Sequence, residues 1–142
     1  MLMGEYHNNI DLKGRVVIPS KFRDLLGEKI VLTRGLDSSL FVYPYETFLN
    51  LTKELNTLPF TEKESRNFIR FMLSGATTLE FDKQGRIIIP SFLKEYASLQ
   101  KEVVLVGVLN RVEIWSKDNW NNFMDLNFRD LSEISVNLFN SN

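Results

Sequence analysis

Residues 4–20 read GEYHNNIDLKGRVVIPS and residues 75–91 read GATTLEFDKQGRIIIPS, and the second stretch lies over the first at an offset of 71. The identities fall on Gly4/Gly75, Asp11/Asp82, Gly14/Gly85, Arg15/Arg86, Ile18/Ile89, Pro19/Pro90 and Ser20/Ser91. After a one-residue insertion the match resumes at an offset of 72, with GLDSSLFVY over residues 35–43 against GVLNRVEIW over 107–115. Two copies of about 45 residues, separated by about 28, are a duplication. They are not a solenoid, which needs at least three stacked units.

Each copy predicts the same local structure. A half-polar strand leads into Asp-x-x-Gly-Arg, a tight turn in which Asp bonds its own backbone and Gly takes positive φ. A short β-branched strand follows, Val16–Ile18 or Ile87–Ile89, ended by Pro19 or Pro90. Ser20 and Ser91 are placed to cap short helices reaching Leu26 and Ala97, and Gly27 to stop the first of them. A strand pair then closes the unit: Ile30–Thr33 with Leu40–Tyr43 in copy one, Val103–Val106 with Val112–Trp115 in copy two.

Between and after the copies the pattern is helical. Phe48, Leu51 and Leu55 share a face of residues 46–56, and Thr61-x-x-Glu64 reads as a capping box before a stripe of Phe68, Ile69, Met72 and Leu73. Trp120, Phe123, Met124 and Phe128 mark a further amphipathic helix. The expected divisions are a first repeat over 5–47, connecting helices over 48–75, a second repeat over 76–119, and a C-terminal helix and tail over 120–142. A four-stranded unit this small leaves edges unpaired and one apolar face half-covered. Two copies can cover each other about a pseudo-two-fold axis, so the expected fold is mainly β with accessory α-helices. Its two repeats would form one small β-barrel of interleaved strands, since closure removes edges.

Composition narrows the function. With 142 residues, 44% apolar and 25% charged, the chain suits an ordinary globular core. The absence of cysteine excludes disulfides, thiolate metal sites and thiol nucleophiles, and makes a reducing cytoplasm the natural compartment. His7 is the single histidine, so a multi-histidine metal cluster or a His-based triad lacks its residues. The longest apolar run, Val103 to Leu109, is seven residues and contains Gly107, too short to span a bilayer. The opening MLMGEYHNN has neither the cationic flank nor the apolar stretch of a signal peptide.

A net charge of −1 hides an asymmetry. Over residues 11–34, Lys13, Arg15, Lys21, Arg23, Lys29 and Arg34 outnumber Asp11, Asp24 and Glu28 by three. Over 82–101, Lys83, Arg86, Lys94 and Lys101 outnumber Asp82 and Glu95 by two. From residue 113 onward, Lys117 and Arg129 are outnumbered by Glu113, Asp118, Asp125, Asp130 and Glu133 by three. Positive charge thus gathers around the repeated turns, a footprint suited to phosphate. The pseudo-two-fold places Arg15 and Arg86 at one end of the molecule, with Lys13 and Lys83 on the same two turns. Asp11, Gly14, Asp82 and Gly85 are the turn-shaping residues. A lone turn of this kind commonly holds no more than a surface ion pair, worth about 0–1 kcal/mol. Its duplication with the same arginine is what raises the functional reading, because arginine suits bidentate guanine or phosphate contact.

Six motifs in order carry a resemblance: M-x-x-G-E-Y, D-x-K-G-R-h-x-I-P (h apolar), L-T-R-G-L-D-x-x-L-x-V-Y-P, F-x-L-S-G-A, D-K-Q-G-R-I-x-I-P and V-L-V-G-V-L-N-R-x-E-I-W-S. Over residues 1 to about 125 the chain resembles the MraZ family of bacterial transcriptional regulators, which carry two AbrB-type swapped-hairpin (double-psi-like) repeats. The resemblance implies sequence-specific binding of double-stranded DNA at repeated promoter boxes near a cell-wall and cell-division gene cluster. It also implies nucleoid association and ring-shaped homo-oligomers. The family's DNA-contacting arginines carry over to Arg15 and Arg86, while Met3 stands where many relatives have a basic residue. No cofactor, metal, membrane or small-molecule substrate is expected.

Two other function classes compete. Small interleaved barrels also host aspartic proteases, which need paired Asp-Thr/Ser-Gly turns. Here Asp37-Ser38-Ser39 lacks the glycine and its repeat partner is Leu109-Asn110-Arg111. His7 with Glu5 and Asp11 is a still weaker metal constellation, since a lone histidine in a polar strand ordinarily faces solvent. The stronger alternative is a protein-interaction module whose basic turns bind an acidic partner.

Overall fold

The computed structural model describes residues 1–140. In chain order its elements are β1 (Leu2–Asn9), β2 (Arg15–Val17), α1 (Ser20–Leu26), β3 (Lys29–Arg34), β4 (Leu40–Pro44), α2 (Tyr45–Leu55) and α3 (Lys63–Ser74). The second half gives β5 (Thr77–Glu80), β6 (Arg86–Ile88), α4 (Ser91–Tyr96), β7 (Glu102–Leu109), β8 (Arg111–Ser116), α5 (Lys117–Asn127) and α6 (Leu131–Asn140), with a single 3-10 turn, Phe128–Asp130, between the last two helices. No helix among the described residues is long and apolar enough to cross a membrane.

The protein is mainly β with accessory helices, and its two copies are interleaved. Six strands form one sheet in the order β1-β7-β8-β4-β3-β5, and β2 pairs with β6 in a separate two-stranded ribbon. Only β3–β4 and β7–β8 are hairpins within a copy. The remaining junctions join one copy to the other, with registers such as Tyr6↔Leu105, Ile30↔Leu79, Val42↔Val112 and Val16↔Ile87. Each half therefore finds partners for most of its strand edges in its duplicate, with β1 and β5 left at the two ends of the six-stranded sheet.

Strand alternation sends one face of every strand into a shared core. Val16, Ile18, Phe22, Leu26, Ile30, Leu32, Leu40 and Val42 of copy one meet Ile87, Ile89, Leu93, Val103, Leu105, Val112 and Ile114 of copy two. The ribbon contributes Val16 and Ile87 inward, so it packs on the same core as the sheet. Phe22 of α1 is fully buried and meets Tyr6 edge-on at 5.0 Å. A smaller cluster of Val31, Phe41, Tyr43 and Phe48 seats α2 on the opposite face of β3 and β4.

Several boundaries differ from the sequence reading for local reasons. β2 and β6 begin on the arginines and stop one residue early, where the Ile18 and Ile89 amides carry the same register onto the Gly85 and Gly14 carbonyls of the opposing turns. Ser20 and Ser91 are first helical residues and not caps. Pro19 and Pro90 hold the cap position with ψ of 142° and 146°, and neither helix start has a side-chain cap bond. The Thr61–Glu64 capping box does not form. The Glu62 amide still closes a turn onto Pro59, so the helix starts at Lys63 without a side-chain cap. In α3 only Met72 is buried, and Phe68 and Leu73 are exposed. After β8, the Ser116 hydroxyl accepts from the Asn119 amide at 3.0 Å to cap α5. That helix leans on Trp115 through Trp120 and Phe123, with ring centroids 5.3 and 5.4 Å away.

Candidate nucleic-acid interface

The two Asp-x-x-Gly-Arg turns are built alike. In the first, the Gly14 amide donates to the Asp11 carbonyl and the Asp11 amide to the Arg15 carbonyl, both at 3.0 Å. Asp11 Oδ1 accepts from the amides of Lys13 and Arg15 at 2.9 Å, and Oδ2 accepts from Arg15 Nε at 2.7 Å. In the second, Asp82 Oδ1 accepts from the Gln84 and Arg86 amides at 2.9 Å and Oδ2 from Arg86 Nε at 2.8 Å. Gly14 and Gly85 close the turns at φ of 80° and 75°, the left-handed region that a side chain disfavours.

This bonding fixes charge as well as shape. The Arg15 amide, with the Arg15 guanidinium and the Lys13 amide behind it, holds the Asp11 carboxyl below its ordinary range against a smaller opposing effect of burial. Asp82 is held down likewise by the Arg86 amide first, then the Arg86 side chain and the Gln84 amide. Each carboxylate takes only the Nε hydrogen of its arginine, one of five guanidinium donors. The four Nη hydrogens are not consumed by that bond.

The ribbon then brings the two arginines together. Its register pairs Arg15 with Ile88, Val16 with Ile87, and Val17 with Arg86. Val16 and Ile87 point inward, so Arg15, Val17, Arg86 and Ile88 share the outer face. Arg15 and Arg86 are diagonal neighbours on it, a relation that separates Cα atoms by roughly 7–8 Å. Each guanidinium-bearing side chain is about a quarter exposed, at 29% and 24%. Asn8 braces the ribbon from β1 by donating to the Val17 carbonyl at 2.7 Å.

Lys13 and Lys83 are both exposed on the turns but do not occupy equivalent places. The amide that bonds Asp Oδ1 belongs to Lys13 in one turn and to Gln84 in the other, so Lys83 corresponds to Leu12. Leu12 is fully exposed at its apex.

One participant was not legible as such in the sequence. Arg23 of α1 donates from Nε to the Ile18 carbonyl at 2.9 Å, and its guanidinium covers Gly85 so closely that a Cβ there would lie 2.5 Å from Cζ. Copy one thus lends a cation to the turn of copy two. Lys94 and Lys101, in the reverse sense, line the same cleft as Asp11 and Leu12. Only charge clustering hinted at these residues, because the pairing that brings them to the turns is long-range.

The competing constellations have other uses. His7 lies 2.7 Å from Glu5, and no group of three or more acidic, histidine or cysteine residues able to hold a metal occurs among the described residues. Asp37 and Ser38 adopt φ of 60° and 58° in the β3–β4 turn, where the buried Ser39 donates its hydroxyl to the Leu36 carbonyl.

Comparison with known proteins agrees with the internal symmetry. The family model described as "MraZ protein, putative antitoxin-like" matches twice, over residues 1–71 and 72–140. The chain is 56% identical over 136 residues to the transcriptional regulator MraZ of Halothermothrix orenii, covering 96% of this chain and 95% of that one. It is 53% identical to that of Caldanaerobacter subterraneus subsp. tengcongensis, covering 94% and 95%. With that of Desulforamulus reducens it shares 49% identity, covering 97% and 99%. The matches extend through the tail beyond Leu126, which the sequence motifs left out. Transcriptional regulators, the name these relatives carry, are a non-enzymatic class of protein. The chain belongs to the MraZ family.

Proposed function

We propose that this chain is a sequence-specific DNA-binding transcriptional regulator in which the β2–β6 ribbon enters the major groove of double-stranded DNA. A two-stranded β-ribbon fits that groove, and arginine is the side chain that most often reads guanine there. The observation that carries the reading is the placement of Arg15 and Arg86 side by side on the ribbon's outer face, each oriented by its own aspartate. Lys13 and Lys83 hold phosphates on either side. Asp11 and Asp82 serve as turn-shaping groups, since a carboxylate faces a phosphate favourably only with a cation between them.

Residues 5–47 and 76–119 act as two DNA-binding repeats of one unit joined by 48–75, with 120–142 as an appended helix and tail. The target is a set of repeated boxes near the promoter of a cell-wall and cell-division gene cluster, which places the protein at the nucleoid. One ribbon is a small footprint, and several chains in a ring-like homo-oligomer gain avidity on repeated boxes that one chain lacks.

The test is binding of Arg15→Ala and Arg86→Ala variants to promoter DNA across a salt series. Each is expected to lose about 1–3 kcal/mol and to relax the preference for one sequence, whereas Lys13→Ala and Lys83→Ala weaken all sequences alike and reduce the salt slope by about 1. Unchanged affinity in both arginine variants overturns the site. Light scattering that shows a monomer at working concentration removes the ring.

A further inference from the structure

We infer that Val17 and Ile88 are specificity-determining residues, each packing on the C5-methyl group of a thymine beside the base read by its neighbouring arginine. The inference rests on the DNA-binding reading above and adds to it the chemistry of the bases recognised.

The argument begins with exposure. Val16 and Ile87 are 1% and 2% exposed, as core residues should be, but Val17 is 42% and Ile88 58% exposed on the opposite face of the same three-residue strands. Folding gains little from an apolar side chain there. Val17 and Ile88 are also equivalent positions of the duplication, separated by the same offset of 71 as Arg15 and Arg86. The apolar surface position therefore recurs in both copies. By contrast Leu12, though fully exposed, has Lys83 as its counterpart.

Register supplies the second step. Arg15 sits directly opposite Ile88, and Arg86 directly opposite Val17. Directly opposed residues have Cβ atoms about 4.5–5.5 Å apart, so each arginine and its apolar partner reach neighbouring base pairs. In the major groove the feature that an aliphatic side chain can recognise is the thymine methyl group, as guanine O6 and N7 suit arginine. Phosphate offers an aliphatic group nothing. The surrounding cations Arg15, Arg86 and Arg23 favour a polyanionic occupant over an apolar protein surface. The ribbon thus presents two arginine–aliphatic pairs related by the pseudo-two-fold, suited to two guanine–thymine neighbours.

The experiment uses the full chain and a duplex that it selects from a random-sequence pool. The duplex is resynthesised with deoxyuridine replacing one thymidine at a time, which removes only the methyl group. At two thymines or more, wild-type affinity should fall about fourfold, the effect of one lost methyl contact. Val17→Ala and Ile88→Ala, with melting temperatures confirming the fold, should each abolish the sensitivity at one of those thymines. Affinity unmoved by every deoxyuridine overturns the inference, and that measurement needs no variant to fold. Folded alanine variants that keep full affinity and full methyl sensitivity, or that alter only self-association, also overturn it. If Arg15→Ala and Arg86→Ala lose binding in those cases, the DNA-binding reading stands without this addition. If no sequence is enriched, or the arginine variants bind like wild type, the reading itself fails and the inference with it.

Discussion

The amide of Ile89 donates to the carbonyl of Gly14 at 2.8 Å, tying a strand end of the second copy to the turn of the first. Its counterpart runs from the Ile18 amide to the Gly85 carbonyl at 3.0 Å. The two arginine-bearing turns are therefore not free loops on a finished scaffold. Each is completed by backbone from the other copy, so the turn geometry and the interleaving of the fold form together.

Gly14 and Gly85 carry that arrangement at positive φ, so a β-carbon at either is strained by about 1–2 kcal/mol. At Gly14 it would also approach the Ile89 carbonyl oxygen at 3.2 Å, which cannot swing aside as a side chain can. At Gly85 it would displace the Arg23 guanidinium. Gly14→Ala and Gly85→Ala are each expected to lose at least 1 kcal/mol of stability in urea unfolding. An unchanged midpoint in either would contradict the interlock.

What the sequence disclosed and what it withheld follow the range of the interactions. The turns were legible because Asp, Gly and Arg within five residues determine their own hydrogen bonds, from Asp11 to Arg15 and again from Asp82 to Arg86. Swapping was legible because a short duplicated unit has edges that only its copy can cover. The strand order was not, since nothing in Tyr6 or Val42 names Leu105 or Val112 as its neighbour. Ser20 and Thr61 misled because cap propensity acts only when the chain arrives at the right angle, and Pro19 and Glu62 decide that angle here. Arg23 at Gly85 was hidden for the same reason as the strand order.

The aspartates predict a pH response with a definite sign. A carboxyl whose pKa is depressed on folding adds stability above its unfolded value and loses it as pH falls through the folded value. Asp11 and Asp82 are both held below their ordinary value, so turn order should outlast the titration of an ordinary aspartate and give way on further acidification. The Arg15 and Arg86 amide resonances, followed by NMR, should move with midpoints under that value. Asp11→Asn keeps a carbonyl for the Lys13 and Arg15 amides but gives up the bond to Nε, so it should retain the fold while removing the Arg15 titration. A midpoint at or above the ordinary carboxyl range would contradict the network.

Arg34 makes a separate prediction, about how the connecting helices are held. Its Nη1 donates to the Phe71 carbonyl at 3.0 Å and the Ser74 hydroxyl at 2.9 Å, at the C-terminal turn of α3. The rings of Phe71, Phe92 and Tyr96 surround the guanidinium at 5.7–6.0 Å. Arg34→Ala should cost about 1.5–3 kcal/mol, the range for hydrogen bonds to a charged group. Arg34→Lys should recover less than half, because an ammonium neither bonds in the same plane nor stacks alike. Equal melting temperatures for the lysine variant and wild type would count against this role.

The last prediction concerns where β1 meets β7. Gly4 faces Gly107 across the pair, but the two glycines are there for different reasons. Gly4 has φ of 104°, and a Cβ on it would touch only the Tyr6 ring at 3.5 Å, so its constraint is conformational. Gly107 is constrained by space. A Cβ there would overlap the Met3 amide nitrogen and lie 2.7 Å from Met3 Cα and 2.8 Å from the Leu2 carbonyl carbon. Those are backbone atoms of a paired strand, so relief requires β1 to move away from β7 and loosen the pairing on either side, at Glu5↔Val106 and Met3↔Val108. Gly107→Ala should therefore cost about 1–3 kcal/mol, as overpacking does. Its mark should be faster hydrogen exchange at β1 amides, with β3 and β4 left protected. Gly4→Ala should lower overall stability without that local signature. If both variants raise exchange uniformly along the sheet, the close approach of β1 to Gly107 is not what requires a glycine there.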